Sequence, residues 1–529
     1  MADDERPEPT PVPDEPEERT EADQEPTPVR QPRDGRGIGR TVTVVSLRVV
    51  RGLVGTAAAV VVVLAVGLVP LPSIGVEPLG TTVDPEPADL LSVCAGAALR
   101  LGDDTGANAS QPYAIGVPTI TDTASGTVEQ TPLSLSDAGS GGTDQAPTAL
   151  RVAAAADAVL AGAQAESLDG KGDLRGLAAS GCAEATSSAW LVGGSTTVGR
   201  TTLLLLANPT EVAAEVSVEM WGESGRVTAP GMSGITVPAG GQRVLPLSGF
   251  APDLTSPVVH VEARGGQVVA ALQTSVIRVL DPGGIDLVSA GAAPARDVVI
   301  PAVRIFDEHG VASSLGLEDH EDLQAVVRVG NPGETTASVE VSVTPTVEGG
   351  SATSFQLEVG AGQVLETPLA AALELGADPF QDGSYTVALS SDEPVVAGVR
   401  TSTIPDPTTD ADGAVQPGPA DLAWAASATT LRGSVAVAIA DGPDPVLVVA
   451  AVDGVARTLT LTPMDGGADV VVEVPAVGST AVAVDAGTGY LMADADGLAV
   501  AVGFAGRGEL ASYPVTAPRQ ADSPIVIRP

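Results

Sequence analysis

Lysine, histidine, cysteine and aromatic residues are all scarce in this chain of 529 residues. Only 2% of the residues are aromatic, two are cysteine, three are histidine, and Lys171 is the only lysine. A hydrophobic core must therefore be built mainly from Val, Ala and Leu, which favours β-sheets packed face to face because Val suits the pleated surface. The 61 glycines and 43 prolines then read as turns between many short strands.

Positive charge is scarce as well. The formal net charge is −41, and residues 77–529 alone carry −37. A chain this acidic repels the phosphates of nucleic acid, so we exclude nucleic acid as a partner. The simplest role of such a charge is to keep a protein soluble outside the cell.

The motifs of common catalytic and cofactor sites are missing. The sequence has no Gly-x-Ser-x-Gly elbow, no Gly-Lys-Ser/Thr phosphate loop and no Asp-x-Asp-x-Asp-Gly calcium loop. The acidic stretch with His309 and His320 lacks a His pair at i, i+4, so a solvated loop is a better interpretation than a cation site. We interpret His260, in an alternating strand, as a solvated or satisfied strand residue. The sequence thus predicts no catalytic residue, no metal site and no cofactor.

The two cysteines, Cys94 and Cys182, both follow the main hydrophobic segment. A metal site would need further Cys or His nearby, and a redox pair would need the two sulfurs two residues apart. In an oxidising compartment we therefore expect one structural disulfide between them.

The N-terminal region changes from acidic to basic and then to apolar. Residues 1–28 hold eleven acidic residues and seven prolines, whereas 30–51 hold six arginines opposed only by Asp34. An uncharged run at 52–69 follows, long enough to span a bilayer as a helix. The arginines before the run and the acids after it place the N-terminus in the cytoplasm. An uncleaved signal anchor fits better than a cleaved signal peptide, because the region before the apolar run would be about fifty residues, which is unusually long for a signal peptide.

Residues beyond 190 contain a tandem repeat. Strand-like segments at 202–208 and 325–331 both end at Asn-Pro, and each is followed by a run in which apolar and polar residues alternate. Two more segment pairs follow in the same order at offsets of 121 and 127 residues. A more degenerate third copy begins with 435–440, which ends at Asp441-Gly442-Pro443.

The repeats predict a mainly β fold of tandem immunoglobulin-like β-sandwiches, since each copy has about seven short strands in roughly 100 residues. A β-propeller is the alternative, although its blades are usually shorter. The Ala-rich stretch 147–168 fits a helix or strands. The predicted parts are a disordered cytoplasmic tail (1–40), a transmembrane signal anchor (50–72), a membrane-proximal region with the disulfide (77–189), and sandwich repeats 1 (190–296), 2 (297–420) and 3 (421–529).

Several of these segments resemble a known family. They are the acidic tail with one anchor, Trp190-Leu191-Val192-Gly193-Gly194 after a cysteine, Leu-Ala-Asn208-Pro209, and Val237-Pro238-Ala239-Gly240-Gly241. The chain is similar in these to an uncharacterised family of actinobacterial envelope proteins that is known only as a domain of unknown function. The resemblance implies an envelope location and brings no catalytic residues.

Two functional hypotheses follow. The first is a non-enzymatic, single-pass membrane protein whose exported sandwich array is a structural or interaction module of the cell envelope, with envelope proteins or glycans as partners. The second is an envelope glycan-binding accessory or an enzyme of polysaccharide assembly. Sugar sites usually use exposed aromatic side chains, so the second hypothesis gains if two of Trp190, Trp221 and Trp424 are exposed on one face and loses if all three are buried.

Overall fold

The computed structural model describes residues 81–527 except 84–87, 103–107, 109, 136, 138, 140–141, 156–157, 348–351, 374–379, 410–414 and 517–524. The predicted tail (1–40) and anchor (50–72) lie outside the described residues. No helix within the described part is long and apolar enough to cross a membrane. The fold is mainly β, with 56% of the described residues in strands and 5% in helices, as the sequence predicts.

The described residues from 90 to 181 form small antiparallel sheets. One has the order β2-β7-β6, a second has the order β5-β8-β9, and β3 pairs with β4. The described residues of the Ala-rich stretch 147–168 form parts of two strands, β7 and β8, and no helix. The strands are β1 (Thr81–Val83), β2 (Leu90–Cys94), β3 (Leu99–Leu101), β4 (Pro112–Ala114), β5 (Thr119–Ala124), β6 (Glu129–Pro132), β7 (Thr148–Val152), β8 (Leu160–Asp169) and β9 (Arg175–Gly181).

The first repeat copy consists of two antiparallel sheets that share a core. Leu191, Val218 and Val261 of one sheet pack with Leu204 and Leu272 of the other, and the alternation of apolar and polar residues directs these side chains inward. The strands are β10 (Ser188–Val192), β11 (Arg200–Asn208), β12 (Ala214–Gly222), β13 (Gly225–Val227), β14 (Ile235–Val237), β15 (Gly241–Pro246), β16 (Val258–Gly265), β17 (Val269–Arg278) and β18 (Asp281–Ser289).

The second copy is built in the same way, but one long strand takes part in both of its sheets. The first half of this strand pairs with β19 and β21, and its second half pairs with β20 and β27. The elements are β19 (Ala295–Ile305), α1 (Glu308–Ser314), β20 (Val326–Gly330), β21 (Ala337–Pro345), β22 (Thr353–Val359), β23 (Val364–Pro368), the long β24 (Gly383–Thr403), β25 (Thr408–Thr409), β26 (Val415–Gln416) and β27 (Asp421–Ala426).

The third copy completes the array, and a short C-terminal strand, β36, pairs with β1. Four 3₁₀ turns among the described residues are Lys171–Asp173, Leu247–Gly249, Glu321–Leu323 and Leu369–Ala372. The strands are β28 (Val435–Ala438), β29 (Val446–Ala451), β30 (Arg457–Pro463), β31 (Val470–Val474), β32 (Ser479–Ala483), β33 (Gly489–Met492), β34 (Leu498–Gly506), β35 (Glu509–Pro514) and β36 (Ile525–Ile527).

All three copies have the same strand order. In the first copy, one sheet has the order β15-β11-β17-β18 and the facing sheet has the order β10-β16-β12-β14. The corresponding orders are β23-β20-β24-β27 and β19-β24-β21-β22 in the second copy. They are β32-β29-β34-β35 and β28-β33-β30-β31 in the third copy. In the immunoglobulin fold the first two strands share a sheet. Here the first two strands of each copy lie in opposite sheets, so the strand order is not the immunoglobulin one.

A smaller fourth copy precedes these three. Its sheets, β2-β7-β6 and β5-β8-β9, repeat the orders β10-β16-β12 and β11-β17-β18 with fewer strands. The sequence did not predict this copy. We call it the reduced copy below.

A repeated turn corrects the predicted alignment of the third copy. Asn208 and Asn331, both buried, accept a hydrogen bond from the backbone N–H two residues later and donate to the carbonyl oxygen four residues later. Asp453, which lies 122 residues after Asn331, also accepts from the N–H two residues later. The strand equivalent to β11 is therefore β29, which ends just before Asp453, and not the segment 435–440. That segment contains β28, the first strand of the third copy, and the Asp441-Gly442-Pro443 turn follows it.

The last strands of the four copies contact one another in chain order. β9 contacts β18, β18 contacts β27, β27 contacts β35, and β35 returns to contact β9. We call this arrangement the strand ring. It joins segments that lie hundreds of residues apart in the chain.

Asp421 links the strand ring at a single carboxyl group. Its Oδ1 accepts the backbone N–H of Ile285 in β18 at 3.0 Å, and its Oδ2 accepts those of Leu177 in β9 and Leu510 in β35, both at 2.8 Å. Asp421 is fully buried, and burial raises the pKa of its carboxyl well above the usual range although the N–H donors act to lower it. A Cβ on Gly176 would lie 2.0 Å from Oδ1, so this position requires glycine.

Candidate functional site

Cys94 and Cys182 are joined by a disulfide, the pair that the sequence predicts. Cys94 ends β2, and Cys182 directly follows β9. Both sulfurs lie in a small core with Leu150 and Leu160. The bond therefore ties together the two sheets of the reduced copy.

No tryptophan among the described residues is exposed. Trp221 is 7% exposed, Trp424 is 2% exposed, and Trp190 is half-buried. Trp190 and Trp221 stack on the same sheet face with ring centroids 5.3 Å apart. The exposed pair that would favour a sugar-binding platform is therefore not formed.

The side chains of His260, Ser188 and Glu219 come from three neighbouring strands, with Ser188 and Glu219 both contacting His260, and we call them the His260 cluster. The Oγ of Ser188 in β10 lies 2.9 Å from His260 Nε2, and Oε2 of Glu219 in β12 lies 3.2 Å from His260 Nδ1. The imidazole is 7% exposed and stacks on Trp190 at 4.2 Å, while Glu219 also pairs with Arg226. His260 is therefore a buried, hydrogen-bonded strand residue, as the sequence indicates, and its partners are the unexpected part.

The His260 cluster is specific to the first copy. In the first copy, Glu219 lies opposite His260, which lies opposite Trp190. The same register in the second copy joins Ser342, Ala388 and Val299. The common fold therefore does not require these polar side chains.

The acidic stretch around His309 and His320 holds no metal site. The described residues contain no group of three or more His, Cys, Asp or Glu side chains that could hold a metal ion. His309, in α1, is exposed and lies 2.6 Å from Asp406, whereas His320 is buried and its ring nitrogen lies 2.7 Å from the carbonyl oxygen of Glu318.

The prediction of a solvated loop is wrong for Asp322. Arg278 Nη2 lies 2.8 Å from this carboxylate, and Arg200 Nη2 lies 3.0 Å from it. Burial acts to raise the pKa of Asp322, but these two guanidinium groups outweigh it and the pKa lies below its ordinary range. Part of the acidic stretch thus packs against the first copy instead of facing solvent.

A cleft of about 440 Å³ lies between the first and second copies beside these ion pairs. It is lined by β11 and β17 on one side and by β20, β23, β24 and β27 on the other. Because Arg400 lies in its wall, we call it the Arg400 cleft. Other lining side chains include Arg200, Asp322, Glu366 and Trp424.

Arg328 is buried behind the wall of the Arg400 cleft, where it contacts the lining residues Glu366 and Trp424. Its side chain is 1% exposed and donates to Glu366 at 2.9 and 2.6 Å. The guanidinium also lies 4.3 Å from the ring centroid of Trp424, and Arg400 lies 5.7 Å from the same centroid. Burial acts to raise the pKa of Glu366, yet Arg328 and Arg400 lower it below its ordinary value.

Sequence reasoning missed the Arg400 cleft. The one available signal is Arg328 itself, a charged residue inside the otherwise apolar strand Val326–Gly330. A buried arginine needs a partner, but the sequence alone does not show that Glu366 supplies it.

Comparison with known proteins gives a family and no activity. A model described as a family of unknown function, DUF5719, matches residues 138–487, which is about two thirds of the chain. Neither the curated proteins nor the solved structures that were compared with the chain include a match. The match supports the predicted resemblance to a family of unknown function, whereas the actinobacterial origin and the membrane anchor stay predictions.

Proposed function

The chain belongs to DUF5719, a family of unknown function, and we propose that it is a non-enzymatic structural or interaction module of the cell envelope. In this proposal residues 50–72 anchor it in the membrane, residues 1–40 are cytoplasmic, and residues 77–529 lie outside the cell. Its partners are the membrane and envelope proteins or glycans. Each pair of facing sheets acts as one β-sandwich, and the array presents loops for contact.

The observation that carries this proposal is the strand ring with Asp421 at its centre. A linear string of modules could flex at each linker, whereas here one carboxyl accepts hydrogen bonds from three other strands of the ring. Buried, satisfied hydrogen bonds of this kind hold a structure rigid. A rigid platform suits a protein that positions partners rather than one that closes on a substrate.

The topology is tested with a reporter that fluoresces only in the cytoplasm, fused after Pro529. We expect the fusion to stay dark and a periplasmic or surface-active reporter at the same place to be active. A bright cytoplasmic fusion would overturn the orientation.

The interaction role is tested by cross-linking the tagged full chain in its native cells and identifying the captured proteins. Asp421→Ala, which breaks the ring, should lose most of the partners captured by the wild type. Asp469→Ala, at an exposed acid of the third copy, serves as the matched control and should keep them. Equal capture by all three chains would argue against a platform that depends on the ring.

A second candidate function, an envelope hydrolase, is favoured by the His260 cluster. Its distances match a Ser-His-carboxylate triad: the Ser188 hydroxyl would add to an ester carbonyl, its proton would pass to His260 Nε2 and then to the leaving alcohol, and water would release the acyl group. This candidate ranks second because Ser188 lies in a strand rather than at a sharp strand-to-helix turn.

A fluorophosphonate probe distinguishes the two functions. The hydrolase predicts covalent labelling of the full chain that Ser188→Ala abolishes and Ser187→Ala, at the adjacent exposed serine, leaves intact. Absence of labelling in the wild type would leave the non-enzymatic proposal standing and remove the second candidate.

A further inference from the structure

The Arg400 cleft contains one guanidinium group without a hydrogen-bond partner among the described residues. The Nε of Arg400 is buried and has no acceptor. The nearest carboxylate oxygen, Oε1 of Glu366, lies 3.9 Å from Nη2, which is beyond hydrogen-bond distance. Because arginine is always charged and carries five N–H donors, this group lacks the acceptors that its neighbours have.

The three other guanidinium groups beside the cleft are engaged. Arg200 donates to Asp319 and Asp322, and Arg278 donates to Asp322 and to the Gly283 carbonyl oxygen. Arg328 donates to Glu366 and to the carbonyl oxygens of Gly194, Pro257 and Thr255. Arg400 is therefore the exception in a cluster that otherwise satisfies its donors.

Glu366 is held away from Arg400 by Arg328. The two hydrogen bonds from Arg328 both end on Oε2 of Glu366, and Arg328 is itself fixed by three backbone carbonyl oxygens. A shift of Glu366 towards Arg400 would break the pair of a fully buried charge, which is unfavourable. Within the part of the chain that the structure describes, no further acceptor reaches Arg400, so a bound ligand could supply one.

The size and lining of the cleft define what could supply that acceptor. About 440 Å³ lies within the usual range for small-molecule sites. The hydroxyl-bearing residues Ser195, Thr255 and Thr274 line the cleft together with the acidic residues Asp319 and Glu321. The hydroxyl groups suit a ligand rich in hydroxyls, and the two carboxylates disfavour a ligand with more than one anionic group.

We propose that the Arg400 cleft binds a ligand of monosaccharide size that carries one anionic group, either a carboxylate or a phosphate monoester, with that group paired to Arg400. Arginine is well suited to this task because its planar fork matches both groups in two hydrogen bonds. The proposal goes beyond the platform role and does not depend on it.

The test is isothermal titration of the purified full chain with glucuronate, glucose 1-phosphate and glucose. We expect at least one of the two anions to bind and the neutral sugar to bind at least about tenfold more weakly, since a charge-assisted hydrogen bond is stronger than a neutral one. Binding of glucuronate alone identifies a carboxylate ligand, and binding of glucose 1-phosphate alone identifies a phosphate ligand.

Variants separate the site from adventitious binding. Arg400→Ala should weaken binding at least about tenfold, and Arg400→Lys, which keeps the charge and the stem but loses the fork, should weaken it less. Arg432→Ala, at an exposed arginine of the third copy, should bind like the wild type. Circular dichroism checks that each variant is folded, and Arg400→Lys carries the test if Arg400→Ala does not fold.

Three results would overturn the proposal. They are no binding of either anion up to about 10 mM, equal binding of glucose, and unchanged affinity in the folded Arg400 variants. None of these results affects the platform role, which is tested by capture of partners.

Discussion

Replacing Asp421 with alanine should loosen all four repeat copies at once. The substitution removes the acceptor for three backbone N–H groups, those of Leu177, Ile285 and Leu510, each in a different strand of the ring. The damage should therefore appear in segments that are far apart in the sequence.

The three unsatisfied donors should together cost about 3–9 kcal/mol in free energy of unfolding. A buried donor left without an acceptor costs about 1–3 kcal/mol, and three donors are affected. Loss of the buried charge offsets part of this cost, because burial raises the pKa of Asp421 and makes its ionised form unfavourable. Asp421→Asn should lose less stability, since it keeps one acceptor oxygen but places an amide NH₂ group against at least one backbone N–H.

Two measurements check this prediction on the full chain. Urea denaturation should show a lower midpoint for Asp421→Ala, with Asp421→Asn between it and the wild type. Hydrogen exchange followed by mass spectrometry should show faster exchange in the peptides that contain Leu177, Ile285 and Leu510 together. Asp469→Ala, at an exposed loop acid, is the control and should change neither.

One result would refute the reasoning about the ring. If exchange rises only in the peptide that contains position 421, the three other strands do not depend on this carboxyl. A urea midpoint equal to that of the wild type would lead to the same conclusion.

Three further predictions concern single contacts. Burial raises the pKa of Glu166 from 4.5 to about 6, so its protonated form stabilises the fold below pH 4.5 and this contribution is lost as the pH rises through about 6. Glu166→Gln should therefore make the stability against urea depend less on pH over this range, and a variant with the pH dependence of the wild type would contradict this. Asn331→Ala should lower stability by about 2–3 kcal/mol, since several of its buried hydrogen bonds disappear, whereas Asp453→Ala, at the equivalent exposed turn, should change the denaturation curve little. Replacing both Cys94 and Cys182 with alanine should cost about 4–5 kcal/mol in the chain-entropy model, since the disulfide closes a span of 88 residues; thermal unfolding of both forms measures it.

Strands β12 and β21 of the first two copies could be predicted because each has one buried face. In β12 and β21, apolar residues alternate with polar ones, as in Ala214–Gly222 and Ala337–Pro345. The Asn-Pro turns mark the ends of equivalent strands, because Asn208 and Asn331 make the same hydrogen bonds. Local chemistry sufficed wherever a strand faces solvent on one side.

The Arg400 cleft could not be predicted because its contacts are long-range. Arg200 meets Asp322 across 122 residues, and Arg328 meets the Gly194 carbonyl oxygen across 134. Such pairs depend on how two copies pack against each other, and the spacing of residues in the sequence of one copy does not predict that packing. The contacts of the His260 cluster are also distant in sequence, but they follow from the pairing of three strands in one sheet of the first copy.

The reduced copy was missed for a different reason, which the strand ring explains. A strand loses its period of two when both of its faces are covered. The first seven residues of β8, from Leu160 on, are all buried, as are the middle five residues of the ring strand β9. β8 is also rich in Ala and Gly, so neither alternation nor β-branched residues mark it. The residues nearest the ring are thus the least recognisable as strands, because closing the ring removes the solvent-facing side from which the pattern arises.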